Sequence, residues 1–179
     1  MKRLGLTLLL LAGCSLAERR QGPENDPYTR VQVGEVVPEF EVTSTDGAKT
    51  FRSSQRVTGA LLYLLWSECP TCRQQTPITL SLAEFLAEND VELVCIARGG
   101  EENATQAMAE EYWASAGNGE GTEAGLPPLY YDEGRRVFDL FASQGVPRLY
   151  LVGRDGRIRW QAVGLAPADN IIQAVCREP

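Results

Sequence analysis

Residues 60 to 72 read ALLYLLWSECPTC, and this stretch constrains the fold more than any other. The run from Ala60 to Trp66 is apolar without alternation, the pattern of a strand buried on both faces rather than one half-exposed to water. Beyond it Leu80, Leu82, Phe85 and Leu86 recur at helical spacing, which predicts a helix over about 70–89 with a kink at Pro77. A helix starting at that junction puts Cys69 at the N-cap, Pro70 at the first helical position and Cys72 at the third. The missing N–H of Pro70 costs nothing there. N-cap and third position are close enough for a low-strain disulfide, and the unpaired N–H groups and helix dipole favour a thiolate on the N-cap sulfur. Cys69 is therefore the expected nucleophile and Cys72 the resolving thiol.

Two cysteines at this spacing could instead hold a metal or staple the chain. A tetrahedral zinc site needs about four ligands. The sequence has no histidine, and Cys95 and Cys176 are solitary, so no metal is expected. A disulfide closing so small a loop restrains the unfolded chain little. The absence of histidine also removes Ser/His and Cys/His dyads, leaving cysteine, carboxylates and tyrosine as reactive groups. With 17 basic against 24 acidic residues the net charge is -7, so nucleic acid is not an expected partner.

The amino terminus, MKRLGLTLLLLAGCSLAERR, has a positive start at Lys2 and Arg3, an apolar core from Leu4 to Leu11 and small residues before Cys14. That core is too short to span a bilayer, which takes about 20 apolar residues. Leu11-Ala12-Gly13-Cys14 resembles the lipobox of bacterial lipoproteins, which implies cleavage before Cys14 and lipidation of its sulfur. Residues 1–13 are then a lipoprotein signal peptide, 14–30 the lipidated cysteine and a flexible, polar tether, and 31–179 one domain.

Within that domain Asp46-Gly47 marks a hairpin joining strands near Phe40 to Thr43 and Lys49 to Phe51. VELVCIA (91–97) reads as a second buried strand with Cys95 as a core thiol, and 101–116 as a second helix. The glycine-rich acidic stretch 117–125 reads as a surface loop, 128–132 as a short strand and 134–143 as a short helix. Two further strands joined by Arg154-Asp155-Gly156 and a last helix over 166–178, packing Cys176, complete the chain. Tyr112, Trp113 and Trp160 are expected as packing or rim aromatics. Helices alternating with buried strands give an α/β fold, a mixed central sheet covered by helices on both faces, with an N-terminal β-hairpin extension.

The order of strand, WSECPTCR, a helix with Pro77, and later Gly145-Val146-Pro147 leading into a strand resembles the thioredoxin superfamily. Within it, VGEVVPEFEVTSTDGAKTF and GVPRLYLVGRDGRI are similar to segments of the membrane-anchored TlpA/ResA/CcmG-like thiol-disulfide oxidoreductases. The resemblance implies a thioredoxin fold, Cys69 as attacking and Cys72 as resolving cysteine, and Pro147 as a cis-proline facing them. A cis bond would turn the Val146 backbone outward to pair with an extended substrate. Trp66, Val146 and Pro147 are the expected substrate-binding residues, and Pro70-Thr71 matches the dipeptide of CcmG-type reductases of cytochrome c maturation. The implied protein is an enzyme without cofactor that reduces protein disulfides. It faces the periplasm from a lipid anchor in the bacterial cell envelope, with a membrane-embedded electron donor.

Three positions depart from the family pattern. Glu68 stands where tryptophan is usual before the first cysteine; a carboxylate there is expected to oppose thiolate formation at Cys69 and weaken the pair as an oxidant. Gln75 stands where these reductases often carry an acid, and Tyr63 occupies the buried-acid position of cytoplasmic thioredoxins, which leaves the proton acceptor for Cys72 unassigned. Two rival readings are a one-cysteine thiol peroxidase and a non-catalytic binding module. The first lacks the threonine three residues before the nucleophile, where Trp66 stands, and retention of both cysteines and Pro147 argues against the second.

Overall fold

The computed structural model describes residues 26–100, 102, 104–116 and 125–177. Cys14, the leader and most of the acidic loop lie outside the described residues. The apolar run folds as β3 (Gly59–Leu65), the middle of a five-stranded sheet in which every residue of the strand is buried. Its neighbours are β4 (Val91–Arg98), which runs parallel to it, and β6 (Arg148–Val152), which runs antiparallel. A parallel strand β5 (Leu129–Asp132) and an antiparallel strand β7 (Ile158–Val163) close the two edges, giving the order β5-β4-β3-β6-β7. A separate hairpin pairs β1 (Glu41–Thr43) with β2 (Thr50–Arg52), Val42 opposite Phe51.

The alternating side chains of β3 feed two cores. Leu61, Tyr63 and Leu65 face α1 (Pro70–Leu80), α2 (Ala83–Glu88), α3 (Gln106–Ala116) and α5 (Ala168–Cys176). Ala60, Leu62 and Leu64 face the hairpin residues Val42 and Phe51 and the one-turn helix α4 (Phe138–Phe141). Helices thus lie on both faces, but unevenly; the hairpin does on one face much of what helices do on the other. A leucine-to-alanine change anywhere in β3 should cost on the order of 2–5 kcal/mol.

Three expected helices differ in detail. The segment 70–89 is two helices, interrupted at Ser81 and Leu82 rather than at Pro77, which α1 accommodates internally. Leu80 and Leu82 are both buried in the same core, and residues two apart cannot share one face of a continuous helix. The break allows both to enter. The helix expected at 101–116 starts at Gln106, because Thr105 caps it by accepting the Met108 N–H at 3.3 Å. The helix expected at 134–143 is a 3-10 turn, Glu133–Arg135, followed by α4. Gly134 and Arg135 are left-handed (φ 68 and 64), and the Asp132 carboxylate then accepts the N–H groups of Val137 and Phe138 at 2.9 and 2.8 Å.

The N-terminal boundary also differs. Residues 28–30, read from composition as tether, lie along 141–143: Arg30 N–H donates to the Phe141 carbonyl and Ser143 N–H to that of Tyr28, both at 2.9 Å. The last helix ends at Cys176, whose side chain is exposed rather than packed, whereas Cys95 is fully buried in β4.

Candidate active site

β3 ends against the start of α1, and the turn between them carries the dithiol. Cys69 is the N-cap of α1, with Pro70 opening the helix. Its sulfur accepts the Cys72 N–H at 3.3 Å, and its thiol donates to the Val146 carbonyl at 3.6 Å. Cys69 keeps 8% of its surface exposed while Cys72 has none, so only the first sulfur can meet a partner. Both cysteines are free thiols. The Val146–Pro147 peptide is cis, and Pro147 is buried beside the half-buried Val146. Trp66 is half-buried and its carbonyl accepts the Cys69 N–H at 3.1 Å. Thr71 is half-buried and Pro70 exposed. Of the sequence-picked residues, Cys69, Cys72, Trp66, Val146 and Pro147 therefore meet at one place.

Glu68 is exposed and forms an ion pair at 3.2 Å with Arg73, the residue after Cys72. Arg73 also donates to the Ser67 carbonyl at 3.1 Å, and its guanidinium lies 5.7 Å from the Tyr112 ring centroid. The carboxylate beside Cys69 thus has a cation as its immediate neighbour. Gln75 is fully buried and works structurally: its carbonyl accepts the Ala166 N–H at 2.7 Å and its amide donates to Thr79 at 3.1 Å.

Among the described residues, the groups acting most on Cys72 include no carboxylate. Burial pushes its thiol well above the ordinary cysteine range, while a hydrogen bond from the Trp66 N–H and the charge of Arg98 act the other way. Its carbonyl is met by hydroxyls, from Thr76 at 2.9 Å, Tyr63 at 3.0 Å and Tyr112 at 3.4 Å. Tyr112 and Thr76 are also bonded to each other. Burial raises both tyrosines, so these hydroxyls stay protonated and act as donors. Arg98, at the end of β4, lays its guanidinium 5.3 Å from the centroids of both Trp66 and Phe138.

Sequence reasoning missed Arg73, Thr76, Arg98 and Arg148 as neighbours of the site. For Arg148 a signal existed, a charged residue opening the otherwise apolar strand RLYLV directly after Pro147. For the others the topology was needed. Among the described residues no three acidic or sulfur side chains converge as ligands for an ion.

A thiol at a helix N-cap, a second thiol sealed one turn in and, over the first, the carbonyl of the residue preceding a cis-proline define a thioredoxin-fold thiol-disulfide oxidoreductase of the TlpA/ResA/CcmG-like kind. The chain belongs to the Redoxin family, whose model matches residues 32–175. It is 23% identical to the thiol-disulfide oxidoreductase ResA of Bacillus thuringiensis (strain Al Hakam), over 89% of this chain and 85% of that protein. A solution structure from Bacteroides thetaiotaomicron superposes with TM-score 0.68 at 25% identity, covering 83% of this chain and 91% of the other. The crystal structure of StoA from Bacillus subtilis gives TM-score 0.62 at 18% identity, covering 78% and 97%. That of the exposed lipoprotein thioredoxin Etrx1 from Streptococcus pneumoniae gives 0.64 at 18%, covering 78% and 98%.

Proposed function

We propose that this enzyme is an extracytoplasmic reductase of protein disulfides, held to the membrane by a lipid on Cys14 and recharged by a membrane-embedded dithiol donor. The observation that carries the exchange chemistry is the Cys69 sulfur at the N-cap of α1, accepting the Cys72 N–H and facing the Val146 carbonyl.

The Cys69 thiolate attacks one sulfur of the substrate disulfide, forming a mixed disulfide and expelling the other substrate sulfur as a thiolate. No carboxylate is needed to deprotonate Cys72, because the expelled thiolate is itself a base and takes that proton. The Cys72 thiolate then attacks the Cys69 sulfur. The Cys69–Cys72 bond forms, the mixed disulfide breaks, and the second substrate thiolate leaves to be protonated by water. The substrate gains two electrons, and the dithiol donor later returns two to the enzyme. The backbone beside Pro147 is suited to hold an extended substrate strand against this sulfur.

The reductase direction is supported by Glu68, whose carboxylate beside Cys69 opposes the N-cap thiolate that a strong oxidant of this fold stabilises. Replacing Cys72 with serine blocks resolution, so tagged Cys72→Ser protein should accumulate as reducible mixed-disulfide adducts in envelope extracts, and Cys69→Ser/Cys72→Ser protein should not. Equal recovery of adducts from both would overturn the reading.

A further inference from the structure

Arg148 directly follows Pro147, and its side chain is completely buried. A guanidinium out of water must have its charge and donors met. They are met from two stretches of chain that are distant in sequence. Nε donates to the carbonyls of Gly145 at 2.9 Å and Gln144 at 3.2 Å. One terminal nitrogen donates to the Gln144 carbonyl and to the Asp26 carboxylate, both at 2.6 Å, and the other to the Thr29 hydroxyl at 2.8 Å. The loop before Pro147 therefore folds around the side chain of the residue after it. Two consecutive carbonyls turn toward one cation because Gly145 adopts φ 80.

The counter-ion arrives on the N-terminal segment, which is itself fastened to the same region. Thr29 bridges Ala142, and the backbone bonds of Tyr28 and Arg30 to Ser143 and Phe141 make residues 28–30 an added strand along the approach to Gly145. Burial by itself would raise the Asp26 carboxyl. The hydrogen bonds from Thr29, Arg148 and the Tyr28 N–H outweigh it and hold the group below the usual carboxylate range, so Asp26 stays charged.

We propose that Arg148 and Asp26 are positioning residues for the exchange reaction: they set the Gln144–Pro147 loop, and with it the Val146 carbonyl that faces the Cys69 sulfur and the seat of the substrate strand. Neither touches the reacting sulfurs. Both act through the loop carbonyls, and the segment leading in from the tether becomes part of the active site. A lysine cannot substitute for Arg148, since one ammonium cannot span a carboxylate, a hydroxyl and two carbonyls that a planar fork meets together.

The proposal rests on the oxidoreductase reading, and its test separates the two. Turnover of a disulfide-bridged peptide, with a chemical dithiol as the electron source, is measured for wild type, Asp26→Asn, Asp26→Glu and Thr29→Val, alongside thermal unfolding. For Asp26→Asn the Michaelis constant for the peptide should rise about fivefold or more with kcat changed less than about twofold, the split expected when substrate seating rather than chemistry is lost. Asp26→Glu should recover most of it. Thr29→Val, which removes the hydroxyl's bonds to Arg148 and Asp26 at nearly constant volume, should move KM the same way by a smaller factor, and it carries the test if Asp26→Asn does not fold. An active wild type with KM unchanged in the folded variants overturns the positioning role alone, as does a fall confined to kcat. A wild type inert toward the peptide overturns the oxidoreductase reading and this proposal with it.

Discussion

Glu68 is the residue on which the sequence alone put most weight, and its surroundings change how much it can do. Its carboxylate stands next to Cys69 but is paired with Arg73 in water, where such a pair contributes less than about 1 kcal/mol. Removing only the carboxylate leaves the Arg73 cation unopposed at the start of α1, on the same side as the helix dipole. Glu68→Gln should therefore make the Cys69/Cys72 couple more oxidising by at most on the order of 30 mV, a tenfold change in equilibrium constant for a two-electron couple. Equilibration with glutathione measures this. The same experiment on the wild type tests the direction of electron flow, since a reductant should lie near about −270 mV or below. A more reducing Glu68→Gln variant would show that the carboxylate works through some other route than opposing a thiolate.

At the scale of elements, α1 is located by its two ends. Its N-terminus is fixed by the dithiol turn, and its second turn is tied to the segment before α5 through Gln75, which accepts the Ala166 N–H. Gln75→Ala should leave that N–H buried without a partner and cost about 1–3 kcal/mol in denaturant unfolding, well above the ±0.5 kcal/mol typical of surface changes. A loss within the surface range would mean that the chain relaxes to satisfy the N–H elsewhere. The sequence shows an absent acid at this position, but not the bond that Gln75 makes, because its partner is 91 residues away. The same division holds across the fold. β3 and β4 were legible because an unbroken apolar run has few other solutions, and the hairpins because Asp46-Gly47 and Asp155-Gly156 accept positive φ at their glycines. The break after Leu80 and the left-handed step at Gly134 and Arg135 answer to tertiary demands, two leucines entering one core and a buried Asp132 capping α4. Local periodicity carries neither. The site divides similarly: the dithiol and Val146-Pro147 could be read from the chain, whereas the hydroxyls on Cys72 and the partners of Arg148 exist only once β3, α1, α3 and the N-terminal segment are assembled.

For the whole molecule the question is what would hold it to a membrane. The chain carries a net charge of -7, so its surface has no general attraction for anionic headgroups. Among the described residues no helix is long and apolar enough to cross a bilayer. In the reading proposed above, attachment falls to lipid on Cys14, where buried acyl chains contribute about 0.8 kcal/mol per methylene and more than one chain is needed for a stable hold. Asp26 follows Cys14 by 12 residues, a covalent reach of at most about 40 Å. Since the segment after Asp26 is fastened beside the Pro147 loop, the tether would enter the domain at its active-site edge, within that distance of a donor in the membrane. Cys14→Ser should move the protein from the membrane pellet to the soluble envelope fraction while the purified variant exchanges thiols with a peptide disulfide as the wild type does. Retention in the pellet after an alkaline carbonate wash would show that something other than lipid on Cys14 holds it. Release accompanied by loss of the Cys72→Ser adducts in cells, with exchange in solution intact, would show that the anchor serves to keep the dithiol near its partners.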